Sequence, residues 1–90
     1  MDEIGFRKFL EDDKHGLTSG GIFSRISKAK RAEEILEMDL DNVVSSDSTM
    51  LEALKKLQNY EDPAHNPMQN AVRKYYIFHN GKEFPRKKDC

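Results

Sequence analysis

One amphipathic segment, residues 18–38, constrains the fold of this chain more than any other feature of its sequence. Its apolar residues recur at the spacing of one helical face, at Ile22, Ile26, Ala29 and Leu36. Glu33 interrupts this stripe. Thr18 or Ser19 can accept a hydrogen bond from the free amides of a first helical turn, so either can begin the helix. All three prolines come later, at positions 63, 67 and 85, and this distribution favours a compact all-α domain.

A first helix is predicted before this segment and a turn after it. The helix covers about residues 2–13, ends before Gly16, and has one apolar side formed by Phe6, Phe9 and Leu10. Residues 39–44 are predicted to be a turn, because two β-branched residues are too few for a strand. Its expected core anchors are Leu40, Val43 and Val44.

Two further helices complete a predicted four-helix domain. The third begins with Asp47 or Ser48 as its cap and runs to about Asn59, with an apolar stripe of Leu51, Leu54 and Leu57. The fourth runs from Pro67 to Asn80 and ends at Gly81, because proline suits a first helical turn and glycine suits a C-terminal cap. Its expected inner side is formed by Met68, Val72, Tyr75, Tyr76 and a half-buried His79.

The domain organisation follows from length and composition. Ninety residues, 37% of them hydrophobic and 34% charged, allow one domain, which we place at residues 1–81. Residues 82–90 are predicted to be a mobile basic tail or linker containing Phe84 and Pro85. The single cysteine, Cys90, excludes an internal disulfide and fits a cytoplasmic protein. No apolar run has the ~20 residues of a membrane span, so no membrane partner is expected.

Positive charge is concentrated locally in a chain of net charge -1. Four cations fall within residues 25–31, the segment 39–62 is acidic, and residues 63–90 are again basic. Local cationic density on a neutral background indicates a binding face for an anion. The opposite interpretation is a solvated face, neutralised in part by pairs such as Lys30 with Glu34 at i, i+4 spacing.

The order of these features resembles the core-binding domain at the N-terminus of tyrosine recombinases (phage integrases), a SAM-like four-helix DNA-binding unit. The matching residues are Phe6, Phe9, Leu10, 16–18, Ile22, Arg25, Ile26, Lys28, Lys30, Arg31, 40–44, Leu51, Leu54, Leu57 and 71–78. The resemblance implies a non-catalytic module that clamps duplex DNA during recombination. Ninety residues leave no room for the catalytic domain of that family, so no enzyme activity is expected.

The predicted DNA-binding residues are the cations and hydroxyls of the second helix together with basic residues near the C-terminus. They are Ser24, Arg25, Ser27, Lys28, Arg31, Arg73, Lys74, Arg86, Lys87 and Lys88. Arginine and lysine neutralise phosphates, and serine adds hydrogen bonds. Tyr75 and Tyr76 are assigned to the core, whereas Phe78 lies off the stripe and is expected to cover the tail or contact a partner.

Several other kinds of site are not expected. The three histidines, His15, His65 and His79, lack the short ligand spacing of a zinc site. Gly20 and Gly21 follow no strand and precede no lysine at the spacing of a phosphate-binding loop. We therefore expect no metal, cofactor or small-molecule substrate.

An alternative function remains open, a small protein-interaction or inhibitor domain of phage or regulatory type. Such a domain would dock a protein partner through segregated acidic and basic faces. Its acidic face would include Asp39, Asp41 and Asp47.

Overall fold

In a computed structural model of the chain, which describes residues 1–12 and 18–84, the described residues form five helices. These are α1 (Glu3–Glu11), α2 (Ser19–Leu36), α3 (Leu40–Val43), α4 (Asp47–Leu57) and α5 (Pro67–Asn80). The all-α prediction is confirmed, and across the two described ranges there is no strand beyond an isolated bridge of Asp62 with His65. Five helices replace the predicted four, because residues 40–43 form one helical turn where a plain turn was expected.

The two long helices, α2 and α5, pack against each other and form the centre of the fold. α1 and α4 each contact both of them, and α3 packs against α4 and α5. Ala29, Ala32 and Ala71 are fully buried, and side chains this small let helix axes approach closely. The Cα radius of gyration, 12.2 Å, equals the ~12 Å of a compact chain of this length.

The predicted start of α2 and both predicted ends of α5 are confirmed by the capping geometry. The Thr18 hydroxyl accepts a hydrogen bond from the Gly21 amide at 3.1 Å and begins α2. Gly81 has a left-handed backbone conformation, φ 74°, and its amide closes α5 on the carbonyl of Ile77. The predicted cap of α4 is wrong, because Ser46 is the N-cap and Asp47 is already the first helical residue.

Three of the expected helices are shorter than predicted. α1 ends at Glu11 rather than residue 13, α2 ends at Leu36 rather than Met38, and α4 ends at Leu57 rather than Asn59. α2 stops because Glu37 takes a left-handed conformation, φ 53°. The expected helix stop at Gly16 lies outside the described residues.

Glu33, which interrupts the apolar stripe of α2, has a structural role. Its carboxylate accepts a hydrogen bond from the Leu40 amide at 2.9 Å. This bond ties α2 to the start of α3, whose Leu40 and Val43 are fully buried as expected for core anchors. Glu33 therefore holds the connection between α2 and α3 in place.

An aromatic cluster joins α1 to α5. The Phe6 and Tyr75 rings meet edge to face at a centroid distance of 5.0 Å, and Phe78 lies 5.8 Å from Phe6 and 5.6 Å from Phe9. Aromatic pairs in such geometries stabilise beyond their buried area. Phe78 is thus packed against α1.

Phe84 is the main departure from the expected tail. Only 7% of its surface is exposed, and its ring meets that of Tyr76 edge to face at 5.2 Å. The chain therefore returns to the core after α5 ends, and Phe84 belongs to the packed domain. Pro85 to Cys90 lie outside the described residues.

The side-chain pattern of α4 and α5 also differs in detail from the predicted stripes. Tyr75 and Tyr76 are buried as expected, whereas His79 is exposed rather than half-buried. In α4, Leu54 and Leu57 are buried but Leu51 is only partly so. The remaining buried positions of α4 are Met50 and Ala53. None of the helices in the described ranges has the length and apolarity to cross a membrane.

Candidate functional site

The predicted DNA-binding residues of α2 lie on its outward side and form what we call the basic face: Ser24, Arg25, Ser27, Lys28 and Arg31. All are exposed except Arg25, which is half-buried. They occupy consecutive turns of one helix, so their side chains present a row of hydroxyls and cations to solvent. The apolar stripe of the same helix directs this row outward, because burying the stripe leaves the polar side no other orientation.

Arg25 anchors one edge of the basic face against α5. Its guanidinium donates to the backbone carbonyl oxygen of Asn70 at 3.5 Å, and burial lowers the pKa of Arg25. A groove of about 220 Å³ lies beside this contact. The residues that line this groove, which we call the α2 groove, are Gly21, Ser24, Arg25, Lys28, Pro67 and Asn70.

The ion pairs of α2 differ from the pair predicted. Lys30 binds Glu3 of α1 at 2.9 Å, and Glu34 binds Arg31 at 2.9 Å. The hydrogen bond from Lys30, followed by its charge and that of Arg7, lowers the pKa of Glu3. Lys30 therefore ties α1 to α2 and is not part of the basic face. Arg31 and Glu34 are both well exposed, so their bond is weak and phosphate can compete for Arg31.

Lys28 differs from the other cations of the basic face, because Arg25 and Arg31 each bind another residue. It is exposed and has no ion pair with any residue in the described part of the chain. It lines both the α2 groove and a second depression of about 380 Å³, which we call the Tyr60 groove. Besides Lys28, that groove is lined by Arg31, Ile35, Tyr60, Glu61, Asp62, His65, Pro67 and Met68. Tyr60 is 58% exposed, and its position beside two cations was not foreseen from the sequence.

Arg73 and Lys74 are adjacent in sequence but lie in different surroundings. The Arg73 guanidinium lies 5.7 Å from the centre of the Phe84 ring and donates to the carbonyl oxygen of Phe84 at 3.5 Å. Arg73 therefore holds the returning chain, and its assignment as a DNA-binding residue stays a prediction. Lys74 follows Asn70, which lines the α2 groove, by one helical turn, so the two residues share a side of α5.

The remaining predicted DNA-binding residues, Arg86, Lys87 and Lys88, lie outside the described residues. The described candidate surface thus consists of the basic face of α2, the two grooves beside it and Lys74. Arg25 and Arg31 are partly committed to other groups, whereas Lys28 is at its centre.

The acidic residues of the middle segment are used inside the fold. Asp39 binds the terminal ammonium group of Met1 at 2.6 Å and caps α3 through the Asp41 amide at 2.8 Å. Asp41 accepts a hydrogen bond from the Tyr75 hydroxyl, and Asp47 accepts one from Tyr76 at 2.7 Å. The three carboxylates proposed for a docking surface therefore each have a structural partner.

The pKa values of this network reflect the same contacts. Burial lowers the pKa of the Met1 amine, but its bonds to Asp39 and Glu33 outweigh burial and raise the value above 8.0. The hydrogen bond to this amine holds the pKa of Asp39 below its usual value. Burial, and then the bond to Asp41, raise the pKa of Tyr75, while the bond to Asp47 raises that of Tyr76 to about 12.

The described ranges contain no group of three or more histidine, cysteine, aspartate or glutamate side chains that could hold a metal ion. Comparisons of the chain with protein-family models, with curated proteins and with solved structures found no match.

Proposed function

We propose that this chain is a non-catalytic module that binds the phosphates of duplex DNA through the basic face of α2. The observation that carries this proposal is the row of exposed Ser24, Ser27, Lys28 and Arg31 on consecutive turns, flanked by a groove and Lys74. Hydroxyl and cationic side chains are the usual phosphate ligands, and they position a protein on the duplex without reading sequence. The cytoplasmic location expected from the sequence is part of this proposal.

The net charge of -1 does not oppose this role. Asp39, Asp41 and Asp47 are partnered by the terminal amine and two tyrosine hydroxyls, on elements other than α2. Charges farther apart than the Debye length, ~8 Å at physiological salt, are largely screened. What approaches α2 therefore depends on its local charges, the cations Lys28 and Arg31 together with the carboxylates of Glu34, Glu61 and Asp62 beside them.

The proposal agrees with the resemblance to integrase core-binding domains. A SAM-like arrangement of the helices around α2 and α5 is part of it, with the short α3 as an addition to the four expected helices. In this arrangement the module would clamp one side of the duplex. Strand cleavage, if the chain acts in recombination, would belong to a separate catalytic domain.

Fluorescence anisotropy with a labelled duplex at rising salt tests the proposal. Because each phosphate contact releases a counterion, affinity should fall steeply with salt. The double variant Lys28→Glu and Arg31→Glu should abolish binding. Its matched control, Lys55→Glu and Lys56→Glu, makes the same charge change on exposed positions of α4 and should bind nearly as the wild type does. Equal loss in both variants, or no binding at low salt, would refute the proposal.

The alternative, a protein-interaction domain, is favoured by a different observation. Ile4 is 72% and Phe23 is 67% exposed, and both are large apolar side chains on helices. Docking through Asp39, Asp41 and Asp47 would instead break contacts that hold the fold. If a purified partner is found whose binding is lost in Phe23→Ser but kept in the Lys28 and Arg31 double variant, the alternative is the better description.

A further inference from the structure

A pocket lined by amide side chains shares Glu61 with the Tyr60 groove. Its volume is about 450 Å³, and it lies where the chain leaves α4 and enters α5. The lining residues are Gln58, Asn59, Glu61, Pro63, Asn66 and Gln69, and we call this the amide pocket.

Gln69 is the unusual residue of this pocket. It is only 8% exposed and is the buried polar residue of the described core. Its backbone amide binds Glu61, but its side-chain amide makes no hydrogen bond to any residue in the described ranges. No fully buried side-chain nitrogen or oxygen there lacks a partner, so the end of Gln69 must reach the open volume of the pocket. A polar group so nearly buried, with its bonds unused, indicates a place for a ligand.

The chemistry of the walls favours a neutral ligand with hydrogen-bonding edges. Each glutamine or asparagine side chain offers both a donor and an acceptor. Both oxygens of Glu61 accept backbone hydrogen bonds, from Met68 at 2.6 Å and from Gln69 at 3.0 Å. Its charge is thereby compensated by the N-terminus of α5. Amide side chains of this kind pair with the adjacent donor and acceptor of a nucleobase.

Three depressions surround the start of α5 in a continuous order. The α2 groove shares Lys28 and Pro67 with the Tyr60 groove, and the Tyr60 groove shares Glu61 with the amide pocket. The α2 groove therefore offers cations, and the amide pocket offers hydrogen-bonding amides. The Tyr60 groove between them offers an exposed tyrosine ring, with two cations and the carboxylates of Glu61 and Asp62 beside it. An unpaired strand offers a partner for each of these features, namely a phosphate, a base face that can stack and a base edge.

We infer that the amide pocket binds one unpaired nucleobase of the nucleic acid whose phosphates lie on the basic face. The inference rests on the proposed function. Cations that bind the phosphates of a nucleic acid bring its bases to the pocket, and this favours a nucleobase over other neutral ligands. It deepens that function, since the module then prefers a duplex with an unpaired end over a blunt one. Tyr60 stacks a base beside the pocket, and Gln69 binds the edge of the base inside it.

Anisotropy titrations with a blunt duplex, and with the same duplex carrying a single-stranded overhang of adenines, test this inference. The wild type should bind the overhang substrate at least about fivefold more tightly, as one additional amide–base pair allows. Gln69→Met keeps the side-chain volume and removes the hydrogen bonds, so it should erase that advantage and leave blunt-duplex binding unchanged. Asn59→Ala in the pocket should reduce the preference for the overhang substrate. Asn42→Ala, at an exposed position of α3, should leave that preference unchanged. The Asn59 variant keeps the test valid if the Gln69 variant does not fold.

A second measurement separates this inference from the proposed function. Adenosine 5′-monophosphate is titrated into the labelled full chain, and the side-chain amide resonances of Gln58, Asn59, Asn66 and Gln69 are followed by NMR. Shifts confined to these amides support the pocket even if no duplex is bound. Salt-dependent duplex binding without an overhang advantage and without amide shifts overturns the inference alone, as does an advantage that survives in Gln69→Met.

Discussion

Removing the hydroxyl of Tyr76 should destabilise the fold by a predictable amount. The ring is 1% exposed and packs against Phe84, while its hydroxyl donates to Asp47 at 2.7 Å. Tyr76→Phe keeps the ring contacts and removes one hydrogen bond to a charged acceptor. Such bonds contribute about 1.5–3 kcal/mol when desolvated. Because Asp47 is exposed and solvent screens it, we expect about 1 kcal/mol.

A double-mutant cycle isolates this bond from the other effects of each substitution. Asp47→Ala also removes an acidic residue from the first turn of α4, which stabilises the helix by about 0.3–1 kcal/mol. This loss is the same in the wild type and in Tyr76→Phe, so it cancels in the coupling energy. Urea unfolding followed by circular dichroism should give a coupling energy near 1 kcal/mol. Tyr76→Phe alone should lower the Tm by about 4–8 °C.

The pH dependence supplies a further check on the same bond. The pKa of Tyr76 is raised from 10.0 to about 12 in the folded chain, so folding favours the protonated phenol. Its stabilisation is therefore complete below pH 10 and is lost as pH rises through about 12. The Tyr76→Phe variant should lack this part of the alkaline transition. A coupling energy within the ~0.3 kcal/mol error of additivity, or an alkaline transition identical to that of the wild type, would refute the reasoning.

Three other perturbations have expected outcomes. Acetylating the Met1 amine should lower the free energy of unfolding at pH 7, measured by urea titration. The difference from the unmodified chain should vanish as pH rises from 8.0 through the raised pKa of the amine. Equal urea unfolding curves for the two forms at pH 7 would contradict the role of Asp39. Gly5→Ala should destabilise by about 1 kcal/mol, because its Cβ would lie 2.9 Å from Phe78 and closer still to the Asp2 carboxylate that caps α1. A stabilised variant would mean that helix propensity outweighs these contacts. Phe84→Ala should cost about 3 kcal/mol in the same assay, and an unchanged Tm would show that the segment does not pack.

Local chemistry made much of the fold predictable from the sequence. The bounds of α5, Pro67–Asn80, follow from a proline that suits the first turn and from Gly81, whose left-handed conformation is accessible to glycine without strain. The start of α2 was predicted in the same way at Thr18 or Ser19, and Thr18 is the cap. These signals act within a few residues of chain, so they can be recognised without knowing what packs where.

Contacts between distant residues could not be predicted in this way. Phe84 followed a helix stop in a basic segment, a pattern typical of a tail, and only the position of Tyr76 brings it into the core. Asp41 and Asp47 appeared as part of an acidic surface because the tyrosines that bind them are 34 and 29 residues away. Glu34 lies four residues after Lys30 and was its expected partner, but Lys30 forms its ion pair with Glu3 of α1.

The candidate site divides along the same line. The sequence by itself determined the basic face, because Ser24, Ser27, Lys28 and Arg31 share one helix and helical periodicity orients them together. Only the tertiary structure decided which cations remain uncommitted and what lies beside them. The approach of residues 60–68 to α2 creates the Tyr60 groove. The connection from α4 to α5 forms the amide pocket, where Gln69 is buried and its side-chain amide bonds to no residue in the described ranges. Such a property depends on packing across the chain, and no local pattern of residues contains it.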